Sequence, residues 1–135
     1  MKAVRYHQHG QADVLHYEDA DRPAPMPGQV LLRVAATTFN PVDAAIRAGY
    51  LQQAFSLEFP HVPGLDVAGT VEALGTDVDE LGIGDPVIGF LPMNTDGATA
   101  EYVLAPAGVL AAAPAAALSV ASVAARADWV RRTLR

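Results

Sequence analysis

Cysteine is absent from this chain of 135 residues, which excludes disulfides, thiolate zinc ligands and cysteine nucleophiles. Basic residues are also few, because 9 lysines and arginines stand against 15 aspartates and glutamates, for a net charge of −6. An acidic chain repels phosphate backbones, so we expect no nucleic-acid partner. The longest weakly polar stretch, 103–125, is interrupted by Pro106 and Pro114. We therefore expect no membrane span and, with no signal peptide recognisable, a cytoplasmic protein.

Short apolar segments separated by glycines and prolines make up most of the chain, and this pattern indicates a β barrel or sandwich. The hydrophobic fraction of 51% is enough to fill the core of one domain. The segment 29–37 is the clearest strand, since Val30, Leu32, Val34 and Ala36 alternate with residues of the opposite face. The predicted strands are 2–7, 14–18, 29–37, 67–74, 86–90 and 99–104.

One short helix is predicted at 41–48. Asn40 is a favourable N-cap, Pro41 suits the first helical position, and Asp43 falls three residues after the cap. Gly49 can adopt the left-handed conformation that ends a helix. These local signals fix both ends of the helix.

The segment 115–135 differs from the rest, because it carries a charge of +3 while residues 1–114 carry −9. Its periodicity predicts an Ala-rich linker followed by an amphipathic helix. The apolar stripe of that helix would comprise Val120, Val123, Ala127, Val130 and Leu134. We expect the stripe to dock on the barrel, on a second copy in a homodimer, or on a separate partner chain.

Five stretches in a fixed order carry a resemblance to a known family. They are MKAVRYHQHGQADVLHYED at 1–19, PGQVLLRVAATTFNPVD at 27–43, PGLDVAGTVEALG at 63–75, GDPVIGF at 84–90 and AEYVLAP at 100–106. Together they resemble the medium-chain dehydrogenase/reductase superfamily, in its zinc-independent quinone oxidoreductase (zeta-crystallin-like) branch. The resemblance implies a mainly β fold over 1–114, namely a GroES-like, partly open β barrel with one short internal helix. In the family this domain holds the substrate side of the active-site cleft.

The resemblance also implies that the protein binds no zinc. Asn40 and Leu65 stand where the zinc-dependent branch has its cysteine and histidine ligands. Leucine offers no lone pair to a metal. The remaining histidines, His7, His9 and His16, are predicted to be solvent-facing strand residues rather than a metal site.

The same motifs supply the candidate site residues. Asn40 matches the family position whose amide contacts the nicotinamide ribose region, so it is the predicted cofactor contact as well as the predicted N-cap. Asn40, Asp43, Tyr50 and Asp66 are the catalytic candidates, although the two aspartates match positions that more often brace a loop. Several relatives carry tyrosines where this chain has Ala45 and Leu51, and Tyr50 is only a neighbour in register.

The Rossmann domain that binds NADP(H) in the family is predicted to be absent, because no glycine triple fits its phosphate-binding motif. We therefore expect this chain alone to bind NADPH poorly and to be inactive in isolation. Three functions stay open. The chain is a domain of an NAD(P)H-dependent quinone or enone reductase, a standalone GroES-like module that binds a small molecule or partner, or a cofactor-free isomerase, lyase or cyclase. The last would use Asp43, Asp66, His61 or Tyr50 as acid and base.

Overall fold

The structure, a computed structural model, describes residues 1–114. Seven strands, one α-helix and two single-turn 3₁₀ helices follow each other along this part of the chain. The strands and helix are β1 (Lys2–Arg5), β2 (His16–Asp19), β3 (Gln29–Thr37), α1 (Pro41–Ala48), β4 (Asp66–Leu74), β5 (Pro86–Phe90), β6 (Tyr102–Pro106) and β7 (Leu110–Ala112). The predicted linker and amphipathic helix at 115–135 lie outside the described residues.

The strands form two antiparallel sheets. β1 and β2 make a two-stranded sheet, and the other strands make a five-stranded sheet in the order β6-β3-β4-β5-β7. Within residues 1–114 no ladder joins the edge strands β6 and β7, so the sheet stays open. The predicted mainly β fold with one short helix is confirmed. No helix in this part of the chain is long and apolar enough to cross a membrane.

Some elements have the bounds that local sequence signals predict. The bounds of the others depend on pairing with residues far away in the sequence. The bounds of β3, α1 and β5 are those predicted, while β1 ends early because Tyr6 leaves the ladder and pairs with His61 in an isolated bridge. His7 and His9 therefore lie in a bend rather than on a strand. Residues Ala12–Val14 form a 3₁₀ turn, so β2 starts only at His16. β7, which the sequence did not reveal, forms by pairing with β5.

The core lies on the inner face of the five-stranded sheet. It is built mainly of β-branched and leucine side chains, which suit a pleated, buried surface. Its buried members are Val30, Leu32, Val67, Val71, Val87, Leu91, Ala98, Val103 and Ala105. Leu31, expected on the opposite face, is also buried at 2% exposure. The β3–β4 register shifts between Leu31 and Leu32, which breaks the simple alternation.

The segment that leads into β4 is fixed by a close backbone contact with residues 97–99. Three N–H groups from that stretch donate to the segment: Gly97 to Val62 at 2.7 Å, Ala98 to Gly64 at 2.7 Å and Thr99 to Pro63 at 3.0 Å. The approach requires a glycine at 97, because a Cβ there would lie 2.4 Å from the Gly64 carbonyl oxygen. This contact sets the position at which β4 begins.

Replacing Gly97 by alanine should therefore weaken the fold. The new methyl group would force the two backbones apart, and overpacking of this kind costs about 1–3 kcal/mol of unfolding free energy. Gly108→Ala is the matched control, because a Cβ at 108 would meet nothing within 4 Å. We expect the control to change stability by less than about 1 kcal/mol. Urea unfolding monitored by circular dichroism measures both variants, and equal losses would contradict this role for Gly97.

Candidate functional site

Three polar side chains meet where β3 ends and β4 begins. Asn40 donates from Nδ2 to the Asp66 Oδ2 at 2.8 Å, and the Thr38 hydroxyl donates to the same oxygen. The antiparallel register brings them together, because Thr37 at the end of β3 pairs with Val67 near the start of β4. We call Thr38, Asn40 and Asp66 the Asp66 cluster. Thr38 is exposed, whereas Asn40 and Asp66 are half-buried and reach the surface.

Asp43 lies behind this cluster and is 4% exposed. Its carboxylate accepts the backbone N–H of Asn40 at 2.7 Å and that of Gly64 at 3.2 Å. The first bond is the reciprocal half of a capping box at the start of α1. The second ties the helix start to the turn before β4. In this geometry both carboxylate oxygens are occupied by backbone donors, as expected of a residue that braces the loop.

Two exposed aromatic residues adjoin the Asp66 cluster, one across the β4–β5 ladder and one next to it in the sequence. Phe90 is the cross-strand partner of Asp66 in the β4–β5 ladder and is 47% exposed. Phe39 lies between Thr38 and Asn40 in the sequence and is 65% exposed. Apolar surface next to a few convergent polar groups is typical of small-molecule sites.

Two other predicted site residues lie elsewhere. Tyr50 follows Gly49, the left-handed C-cap of α1, and the eight residues of the helix separate it from the cluster by about 12 Å. His61 is buried at 5% exposure, with its ring 5.3 Å from that of Tyr6 and Nδ1 3.6 Å from Asp96. Burial lowers the pKa of His61, and the nearby Asp96 carboxylate opposes that shift only in part. Sequence reasoning thus grouped five residues of which the structure brings Asn40, Asp43 and Asp66 together.

The space between Asp43 and His61 is too small for a substrate. A cavity lined by both residues and by Tyr6 measures about 10 Å³, which is at or below the space that one water molecule needs. Burial raises the pKa of Tyr6 to about 12, so its phenol stays protonated at neutral pH. The arrangement gives no support to acid–base catalysis by Asp43 and His61.

A surface groove of about 380 Å³ is also separate from the cluster. It is lined by Arg33, Val34, Ala35, Thr70, Glu101 and Tyr102. Arg33 is exposed while its neighbour Leu32 is buried, so the groove lies on the outer face of the sheet. Arg33 is about 13 Å from the end of β3, four residues further along the strand. The groove contains none of the predicted site residues.

The residues at the two zinc-ligand positions do not suit a metal. The amide nitrogen of Asn40 faces Asp66, and Leu65 is an apolar side chain with 3% exposure. In residues 1–114 no group of three or more histidine, cysteine or acidic side chains could hold a metal ion. The histidines near the N-terminus have other contacts, since His7 bonds Glu18 at 2.7 Å and His9 bonds the Arg47 carbonyl at 3.1 Å.

Sequence reasoning missed Thr38 and Phe90. Thr38 lies inside the matching stretch 27–43 but was given no role there, and its contact is with a carboxylate that lies 28 residues away in the sequence. Phe90 was placed correctly on a strand, but only the ladder shows that it faces Asp66. The proximity of Thr38 to the Asn40 cap was the one local signal that could have pointed to it.

The sequence profile of the alcohol dehydrogenase GroES-like domain matches residues 26–115. The quinone oxidoreductase of Lama guanicoe is 42% identical over 106 residues, which cover 78% of this chain and 31% of that protein. The chain spans about a third of the length of the curated relatives it matches.

Solved structures show the same similarity. The structure of the quinone oxidoreductase from Coxiella burnetii superposes with a TM-score of 0.74 at 31% identity, covering 85% of this chain and 37% of the other. A mycobacterial protein solved in complex with NADPH gives a TM-score of 0.73 at 32% identity, covering 86% of this chain and 34% of the other. At these levels of identity the likeness extends beyond the fold to sequence.

The bracing role of Asp43 can be tested by Asp43→Asn. An amide has one acceptor oxygen, so its NH₂ group would face one of the two backbone donors. Leaving a buried group unpaired costs about 1–3 kcal/mol of unfolding free energy. Asp85→Asn is the matched control, because Asp85 accepts one N–H, from Gly82 at 2.8 Å, in an exposed turn. Urea unfolding should show a loss at least twice as large for Asp43→Asn, and equal losses would refute the bracing role.

Proposed function

Since the chain belongs to the alcohol dehydrogenase GroES-like domain family, we propose that it forms the substrate-side domain of an NAD(P)H-dependent oxidoreductase. The proposed reaction is the reduction of quinones or enones by hydride transfer. The observation that carries the proposal is the Asp66 cluster with the exposed Phe90 across the ladder from it, in stretches that resemble quinone oxidoreductases. The proposal includes the prediction that the protein is cytoplasmic.

The phosphates of a nicotinamide nucleotide do not fit residues 1–114. Such phosphates bind free N–H groups at a helix N-terminus. At the start of α1 those groups are not free, because Pro41 has no N–H and the Asp43 carboxylate already lies there. The chain alone is therefore expected to be inactive and to depend on a nucleotide-binding domain of the Rossmann type.

The nicotinamide end of the cofactor fits better. Beyond its bond to Asp66 and its place in the capping box, Asn40 keeps a second amide hydrogen and one lone pair on its amide oxygen, so it could contact the nicotinamide ribose region. The bound cofactor would supply the hydride. The contribution of this domain would be to hold the substrate ring against Phe90 and to exclude water from the reacting centre.

The proposed site works without zinc. Asn40 and Leu65 provide no pair of metal ligands, and the amide nitrogen of Asn40 faces a carboxylate. We expect elemental analysis of the purified protein, after mild chelation, to show no stoichiometric zinc. One zinc per chain surviving that treatment would show that the ligand positions have been misassigned.

The proposed substrate site can be tested by NMR titration of the ¹⁵N-labelled full chain. Duroquinone is a suitable probe, and the amide signals of Thr38, Asn40, Asp66 and Phe90 should shift. NADPH in a parallel titration should bind weakly, because the phosphate site is missing from residues 1–114. Ile83, an exposed apolar residue at 72% exposure in another turn, is the internal control and should not shift.

Two results would contradict the proposal. Duroquinone shifts confined to residues outside the Asp66 cluster would show that the substrate site lies elsewhere. A micromolar dissociation constant for NADPH would show that this chain holds a complete nucleotide site. The proposal that a separate Rossmann-type domain binds the nucleotide would then be wrong.

A further inference from the structure

The hydrogen bonds of the Asp66 cluster fix which atoms it can offer to a ligand. An ionised carboxylate only accepts hydrogen bonds. The Asn40 amide must therefore point its nitrogen toward Asp66, and the Thr38 hydroxyl must donate its one hydrogen to the same oxygen. The orientation of both side chains is thus set by Asp66.

The atoms left over are mostly acceptors. Asp66 keeps Oδ1, the Thr38 oxygen keeps a lone pair, and the Asn40 amide oxygen, which faces the Asp43 N–H in the capping box, keeps one lone pair, against a single remaining Asn40 N–H. Within residues 1–114, Asp66 makes no ion pair, so the cluster carries a negative charge. A ligand carbonyl oxygen carries a partial negative charge and would lie against acceptors and the Asp66 carboxylate, which repel it. A ligand hydroxyl could instead donate a hydrogen bond to one of those acceptors.

The neighbouring rings define the rest of the ligand. Phe90 is the cross-strand partner of Asp66, and Phe39 precedes Asn40; both are substantially exposed. Aromatic faces beside a polar group favour a flat ring in offset or edge-to-face contact. The site therefore suits a ring that carries a hydroxyl group at its edge.

We propose that Asp66 is a specificity-determining residue that makes the cluster select an aromatic hydroxyl, as in a phenol or hydroquinone, over the matching quinone carbonyl. This inference rests on the proposed function, because a hydroquinone is the product that reduction of a quinone at the same site would give. Asp66 acts both directly, through Oδ1, and as a positioning residue, through Thr38 and Asn40.

The test compares durohydroquinone with duroquinone, under anaerobic conditions, by NMR titration of the ¹⁵N-labelled full chain. The two probes share a ring and four methyl groups and differ in donors and acceptors. We expect durohydroquinone to bind about tenfold more tightly, which is the effect of one net charge-assisted hydrogen bond. The Asn40 side-chain NH₂ signals report directly on the cluster.

Substitutions separate specificity from stability. Asp66→Asn removes the charge and should bring the ratio of the two dissociation constants close to one, while Asp66→Glu keeps an acceptor and should retain the preference. Asp21→Asn, which removes the same charge at an exposed position, should leave the ratio unchanged. A ratio does not move when a variant only loses folded protein, so the readout is independent of stability.

The outcomes distinguish the inference from the function on which it rests. Equal binding of both probes at the cluster overturns the inference and leaves the proposed function in place. Absence of shifts at the cluster with either probe overturns the proposed function itself. Tighter binding of nicotinamide riboside than of durohydroquinone at the cluster would also overturn the inference. It would indicate that the acceptors of the Asp66 cluster bind the hydroxyl groups of a sugar.

Discussion

The segment from His61 to Asp66 is the part of the molecule on which the rest of the site depends, and it is bonded on several sides. Backbone bonds join His61 to Tyr6 at 2.9 and 3.0 Å, and Leu65 accepts from Leu91 at 2.7 Å. Residues 97–99 bind the middle of the segment, and Asp43 holds Gly64 from the helix side. These hydrogen bonds fix the position of a segment that has no regular secondary structure before β4. They thereby fix the position of Asp66 at the start of that strand.

The two aspartates of the matching motifs have different environments and therefore different roles. Asp43 has each oxygen engaged by a backbone N–H group and is buried, so a ligand at the surface does not reach it. Asp66 is half-buried, and one of its oxygens receives two side-chain donors. The difference comes from the hydrogen-bond donors that surround each carboxylate, since Asp43 lies in α1 among backbone donors and Asp66 starts β4 beside two side-chain donors. A buried, satisfied carboxylate stabilises the site, and a half-exposed one can select what enters it.

The sequence predicts the features that are coded locally and misses those that depend on distant residues. The helix at Pro41–Ala48 carries its own cap, first-turn proline and terminal glycine, and its predicted bounds hold. The resemblance to quinone oxidoreductases is confirmed by the comparisons. It named Asn40 and Asp66 as site candidates, and the structure joins them by a hydrogen bond. The bridge between Tyr6 and His61, the strand β7 and the contact of Thr38 with Asp66 all join residues far apart in sequence. Neither hydrophobic periodicity nor a capping residue predicts such contacts, because each one is stabilised by a partner that lies elsewhere in the sequence.

The first strand of the chain is held by residues near the other end of the domain, and this has a consequence for synthesis. Val4 donates to the Thr99 carbonyl at 2.9 Å, and Glu101 donates to the Lys2 carbonyl at 3.0 Å. Contacts of such wide sequence separation form slowly, because the loop between them must close first. During translation β1 and its ladder partner β2 emerge together, but the bonds from β1 to residues 99–101 cannot form until residue 101 has left the ribosome. The attachment of the two-stranded sheet to this part of the domain is therefore a late event.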